Sequence, residues 1–273
     1  MSRKNRLKAL AAFTLATGAI SSIVWAQGEA QDDPVAEYRA MMGDDNPAEF
    51  WVMRGEALWA TPRGPNKTSF EKCDLGFGPG VVEGAYAQLP RYFEDAGQVM
   101  DLETRLLHCM TTQQGIAREE AVKQRFGDGA KESDFEALAA YVAEASRGTT
   151  LQVPLDNPAM KKAYALGRQI FFHRSGPHDF ACATCHGQTG VRIRLQQLPN
   201  ITEADGAREA YSGWPAYRVS QGEVRTMQWR LQDCFRQQRL PQLEFGSEAS
   251  IALTTYIAHN ADGGVMDAPG MKR

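Results

Sequence analysis

Cys182-Ala183-Thr184-Cys185-His186 decides how this chain is read. In an exported protein, CxxCH is the attachment signature for a c-type haem. The spacing follows from the chemistry. Two thiols one helical turn apart reach the two vinyl groups of the macrocycle as thioethers, and the adjacent imidazole reaches the iron from one face. A zinc half-site would need a second Cys/His pair at ligand spacing, which the chain lacks. A thioredoxin-like pair would need a βαβ context, which the pattern does not offer.

Export is read from the other end of the chain. Arg3, Lys4, Arg6 and Lys8 form a positive n-region, Ala9 to Val24 is uncharged and apolar, and Val24-Trp25-Ala26 fits a small-residue cleavage rule. Residues 1–26 therefore read as a secretory signal peptide. The apolar run is shorter than the roughly 20 residues a membrane anchor needs. The expected location is the periplasm, where cysteines can be oxidised. Losing the four basic residues of the leader takes the formal net charge from −3 to −7. An acidic chain with 43% hydrophobic and 23% charged residues is no nucleic-acid binder, disordered segment or multi-span membrane protein.

Working outward from the motif, the chain repeats itself. Aligning Cys109 with Cys234 without gaps places Pro90, Tyr92, Gly97, Val99, Arg105, Leu106 and Gln113 on Pro215, Tyr217, Gly222, Val224, Arg230, Leu231 and Gln238. Gly55-Glu-Ala-Leu-Trp59 precedes Cys73 much as Gly167-Arg-Gln-Ile-Phe171 precedes Cys182. Tyr141 and Tyr256 end the two copies in matching helical patterns. Apolar spacing predicts helices over 134–146, 158–173 and 248–259. Residues 147–158, with glycine, threonines and prolines, read as a linker. The expectation is a mainly α chain of two tandem cytochrome c-like domains: 27–150 without haem and 151–273 with it.

In this alignment the first copy has Cys73-Asp74-Leu75-Gly76-Phe77 where the second has CATCH. Gly76 then replaces the second thiol and Phe77 the histidine. If the fold brings Cys73 and Cys109 toward the vacated pocket, a disulfide between them would staple it. The alternative is two buried free thiols. Cys234 remains.

His186 on one haem face leaves the other face open. Met227 is one candidate ligand and Cys234 the other, since its counterpart Cys109 sits at the matching place in the first copy. Arg225, Arg230, Arg236 and Arg239 surround Cys234, with Asp233 opposing them. Arg230 is one helical turn before Cys234, so on a helix the two share a face. Its guanidinium would lower the thiol pKa and bind an oxyanion. A solvated basic face is the plain alternative.

The segment Val219 to Arg239, with its Arg-x-x-x-Cys motif and the CATCHG upstream, resembles the SoxA family, the c-type cytochrome subunits of the SoxAX complex in bacterial sulfur oxidation. Some members carry two haems. The departures at Gly76 and Phe77 make this chain similar to the single-haem members. The resemblance implies one covalent haem c held by Cys182 and Cys185, with His186 proximal and Cys234 distal. It also implies that Cys234 is the catalytic sulfur, able to occur as a persulfide, and that Arg230 binds substrate. It further implies a small cytochrome partner, SoxX, and a reaction: L-cysteine S-thiosulfotransfer, in which thiosulfate is coupled oxidatively to a cysteine of the carrier SoxYZ. Two rivals remain. One is a plain electron carrier with His186/Met227 ligation, and the other is a thiolate-haem sensor without turnover.

Overall fold

The computed structural model describes residues 46–193 and 196–272; the leader read over 1–26 lies outside them. The first copy runs α1 (Glu49–Ala60), a 3₁₀ turn at Phe70–Lys72, a second at Tyr86–Gln88, a hairpin of β1 (Arg91–Phe93) and β2 (Gln98–Met100), α2 (Leu102–Thr112), the short α3 (Arg118–Ala121) and α4 (Asp134–Glu144). The second runs α5 (Pro158–Phe172), α6 (Cys182–His186), the small β3 (Arg192–Ile193) and β4 (Gln196–Gln197), α7 (Ala204–Tyr211), β5 (Ala216–Arg218), β6 (Glu223–Arg225), α8 (Met227–Gln237), α9 (Glu248–Asn260) and β7 (Gly270–Lys272). The three expected helices are α4, α5 and α9, with ends shifted by one to two residues. Their starts are chemically marked. Ser133, Asn157 and Ser247 accept hydrogen bonds from the first free backbone N–H groups, and Pro158 opens α5 without a donor to waste.

The first helix of each copy crosses the last. Gly55 lies against the Ala137 carbonyl and the Tyr141 Cβ, and Gly167 against the Ala252 carbonyl and the Tyr256 Cβ. A side chain at either glycine would push the helices apart. The same glycines and tyrosines that mark the repeat in sequence therefore make the same contact twice.

The central part of the repeat also keeps its register. Arg91 faces Met100 across β1–β2 as Ala216 faces Arg225 across β5–β6. The N-cap of α2 is Asp101 and that of α8 is Thr226, again at matching positions. β7 pairs with β5 in parallel and is present in the second copy only, among the described residues.

The cysteine loop has a different register from the one expected. The bridge Arg63↔Thr68 after α1 matches Ser175↔Phe180 after α5. Gly64 packs on the Gln114 carbonyl as Gly176 packs on that of Arg239. Ser69 and Ala181 then cap the two following turns. Continued at this separation, Phe70 matches Cys182, Cys73 matches Cys185 and Asp74 matches His186. Aligning on the nearest cysteine misplaces the loop by one turn. The fold is set by the glycine contacts upstream, and Gly76 and Phe77 lie beyond the lost haem motif.

The two copies meet about equivalent residues. Tyr86 and Tyr211 stack with ring centroids 6.4 Å apart. The Gln228 amide donates to Asp101 at 2.7 Å, and the Thr226 hydroxyl to Glu103 at 2.6 Å. One continuous apolar core runs through both copies. The segment read as a linker takes part in it. Leu151 and Val153 are buried, and Leu151 N–H donates to the Gly264 carbonyl and Gln152 N–H to that of Ala87. Its glycine and prolines steer the chain, while its apolar residues anchor it.

Candidate active site

α6 is a single turn made by the motif itself. The Ala181 N–H donates to the Thr184 hydroxyl, and the Thr184 N–H to the Ala181 carbonyl. Cys182 and Cys185, one turn apart, are half-buried and free of any disulfide. Burial pushes the Cys182 thiol up to about 12 and Cys185 up as well, so both are neutral thiols at pH 7.

His186 is held by its other nitrogen. Its Nδ1 lies 3.0 Å from the Pro199 carbonyl, which can only accept. The proton therefore sits on Nδ1, and Nε2 keeps its lone pair for a metal. Burial holds the imidazole below its usual pKa, in the neutral form a metal requires.

Cys234 lies near the C-terminal end of α8, half-buried and unbonded. Its thiol feels Arg230, Asp233, Cys185 and Arg218, and Cys182 in turn feels Cys234. Arg230 also acts on His186. The structure thus gathers Cys182, Cys185, His186, Arg230 and Cys234 into one neighbourhood. Burial is the largest influence on Cys234 and raises its pKa. Arg230 and Arg218 pull the other way, as expected of cations, but do not overcome desolvation.

The rest of the basic cluster divides. Arg225 is buried and faces the first copy, bonded to Glu136 at 2.9 Å and Glu223 at 2.6 Å, with its guanidinium over Trp229. Arg236 is exposed and pairs with Asp233 at 2.6 Å. Arg239 is exposed in a positive-φ turn. His173 and His178 are exposed on the loop before α6. Met227 lies at the seam between the copies, two helical turns before Cys234, beside a small void that Tyr86, Asp101, Glu103 and Tyr211 also line. Arg218, on β5, was absent from the sequence reading. It lies outside the stretch 225–239, and only the strand pairing returns it to α8.

Cys73 and Cys109 are disulfide-bonded, with Cα atoms 5.8 Å apart and both residues buried. By the register above they stand where the second copy has Cys185 and Cys234.

Paired neutral thiols on one turn, and an imidazole oriented through Nδ1, suit a covalently held haem. A duplicated helical cytochrome c-like frame around that turn defines the class of c-type cytochromes. The sequence profile described as "SoxA/TsdA, cytochrome c domain" matches residues 54–151 and 166–266. A protein of Hydrogenophilus thermoluteolus named L-cysteine S-thiosulfotransferase subunit SoxA is 49% identical over 262 residues, covering 93% of this chain and 96% of that one. One of the same name from Hydrogenobacter thermophilus is 32% identical over 262 residues, covering 94% and 95%. The crystal structure of SoxXA from P. pantotrophus superposes with a TM-score of 0.71 at 26% identity, covering 87% of this chain and 84% of that one. The chain belongs to the SoxA family.

Proposed function

We propose that this chain is the thiosulfate-coupling subunit of an L-cysteine S-thiosulfotransferase, with Cys234 as its reacting sulfur. The observation that carries the reading is the placement of Arg230 one turn before Cys234, in the neighbourhood of Cys182, Cys185 and His186. The net reaction joins thiosulfate to a carrier thiol. One S–S bond forms, the thiol loses its proton, and two electrons leave.

Cys182 and Cys185 would hold one haem c, with His186 proximal and Cys234 distal. The sequence holds a single CxxCH, which supports one haem. Bound there, the haem supplies a one-electron acceptor. A two-electron oxidation then calls for a second redox centre, which supports a haem-bearing partner of the SoxX kind. Arg230 binds the thiosulfate dianion and offsets its charge beside the sulfur. Cys234 takes part as thiolate or persulfide and carries the covalent sulfur intermediate. Partial burial keeps bulk water from that intermediate. The carrier cysteine, on a SoxYZ-type protein, receives the product.

The chain is read as processed after residue 26 and periplasmic, with a haem-less half over 27–150 and a haem half over 151–273. No helix among the described residues is long and apolar enough to cross a membrane.

The test uses the mature, haem-loaded complex with its partner, thiosulfate, a carrier cysteine and a ferricytochrome acceptor. Coupling is followed by acceptor reduction and by the mass of the carrier. C234S should abolish coupling while retaining haem. Full coupling by C234S would overturn the assignment and favour the electron-carrier reading.

A further inference from the structure

The two copies serve as controls for each other. In the first, Arg105 is well partnered. Its Nη1 lies 2.8 Å from Asp95, its Nε donates to the Asp74 carbonyl at 2.7 Å, and its guanidinium stacks 4.1 Å over the Phe93 ring. Arg230 is its counterpart, and both neighbours have changed. Ser220 stands where Asp95 stood, and Arg218 where Phe93 stood. The copy with the CxxCH motif has moved the carboxylate from the hairpin to Asp233, where the first copy has His108, and has added a second cation.

Neither arginine has an adequate partner among the described residues. The carboxylate nearest Arg230 is Asp233, at 3.5 Å. Asp233 is already held by Arg236 and by the Gln237 amide, each at 2.6 Å. Arg218 makes no ion pair and no side-chain hydrogen bond, and its Nε is enclosed without a partner. Burial, and then the charge of Arg230, act against the positive form of Arg218. Two partly buried guanidinium groups side by side are costly unless an anion joins them. Arg225 does not add to the imbalance, because it turns away to Glu136 and Glu223.

We propose that Arg218 and Arg230 together seat the sulfonate end of thiosulfate beside Cys234, with Arg218 as a second substrate-binding residue. The inference rests on the transferase reading for the identity of the anion. A sulfonate has three oxygens and accepts from two planar forks at once, which a single arginine does not exploit. Gripping that end leaves the outer sulfur free to approach Cys234. Arg218 thus positions the anion and takes no part in bond making.

The experiment compares R218Q and R218K with wild type in the haem-loaded complex. Thiosulfate affinity is read by calorimetry, and KM and kcat by the coupling assay. In R218Q the affinity should fall roughly 10- to 100-fold, the loss expected for a charged hydrogen-bond partner. KM should rise in step with kcat changed far less, the mark of lost ground-state binding. R218K should recover part of the affinity, keeping the charge but not the fork. The haem absorption spectrum should not move. Unchanged affinity in R218Q overturns the seat. Unchanged affinity with a shifted haem potential also overturns it, and assigns Arg218 to a haem propionate instead. If wild type binds thiosulfate but does not transfer it, and R218Q loses that binding, the seat stands and the transferase reading falls.

Discussion

Cys73 is bonded to Cys109 at the place where the second copy keeps Cys185 and Cys234 as separate thiols. Both members of the pair are buried in the apolar core, with Leu75, Leu106 and Phe70 in the same cluster. Where the second copy would hold its porphyrin, the first has a covalent link and close packing.

That link closes a loop of 36 residues. Constraint of the unfolded chain by such a loop contributes about 3–4 kcal/mol. C73S and C109S should each lose that much in denaturant unfolding under oxidising conditions. Their haem absorption should match wild type, because α6 is untouched. Unfolding midpoints equal to wild type would show that the bond does not constrain the chain.

The helix crossings give a paired prediction. A methyl group at Gly55 or Gly167 would collide with a backbone carbonyl, which cannot rotate away. Overpacking of this kind costs roughly 1–3 kcal/mol. G55A and G167A should both lower the melting temperature. Only G167A should reduce haem incorporation, since α5 leads directly into α6. Equal haem content in both variants would separate the crossing from the assembly of the motif.

The repeat was legible because its markers are physical necessities. Gly55, Gly167, Tyr141 and Tyr256 are where helices touch, and such positions tolerate few residues. The loop register was not legible, because cysteine identity suggested Cys73 with Cys182 while the packing of Gly64 and Gly176 sets Cys73 with Cys185. Arg230 beside Cys234 could be read from helical spacing. Arg218 could not, because its approach depends on β5 pairing with β6, the strand that runs into α8. Arg225 carries the same charge as Arg230, and only Glu136, in the other copy, accounts for its inward direction.

Glu136 makes stability depend on pH in a stated sense. It is buried, accepting from Gly127 N–H at 2.8 Å and pairing with Arg225 at 2.9 Å. Burial raises its pKa from 4.5 to about 7, against the pull of Arg225. Between those values the folded protein keeps a proton that the unfolded chain has released. This contribution is therefore complete below pH 4.5 and is lost as pH rises to about 7, with a slope of at most about 1.4 kcal/mol per unit. Burial acts on Asp101 and Glu103 in the same sense, and on His108 in the opposite one. Those groups are common to wild type and E136Q, so the difference between the two isolates Glu136. Denaturant unfolding across pH 4.5–7.5 should show a wild-type decline that E136Q lacks. Parallel curves would mean that Glu136 is ionised throughout.

Cys234 and Met227 separate the two readings of the haem's second axial side. Met227 is buried at the seam, with its counterpart Leu102 lining the same void. Cys234 lies two turns further along α8, with the thiols of α6 in its field. A thiolate is anionic and lowers a haem potential relative to a thioether. C234S should therefore change the oxidised absorption spectrum and raise the potential. M227L, which keeps the volume and apolarity of the seam, should leave both unchanged and lower stability by less than about 1.5 kcal/mol. The opposite pattern, a spectrum altered by M227L and indifferent to C234S, would require α8 to rotate away from the arrangement that places Arg230 and Cys234 beside α6. Arg230 would then leave the site as well, and the case for thiosulfate chemistry on this helix would fall with it.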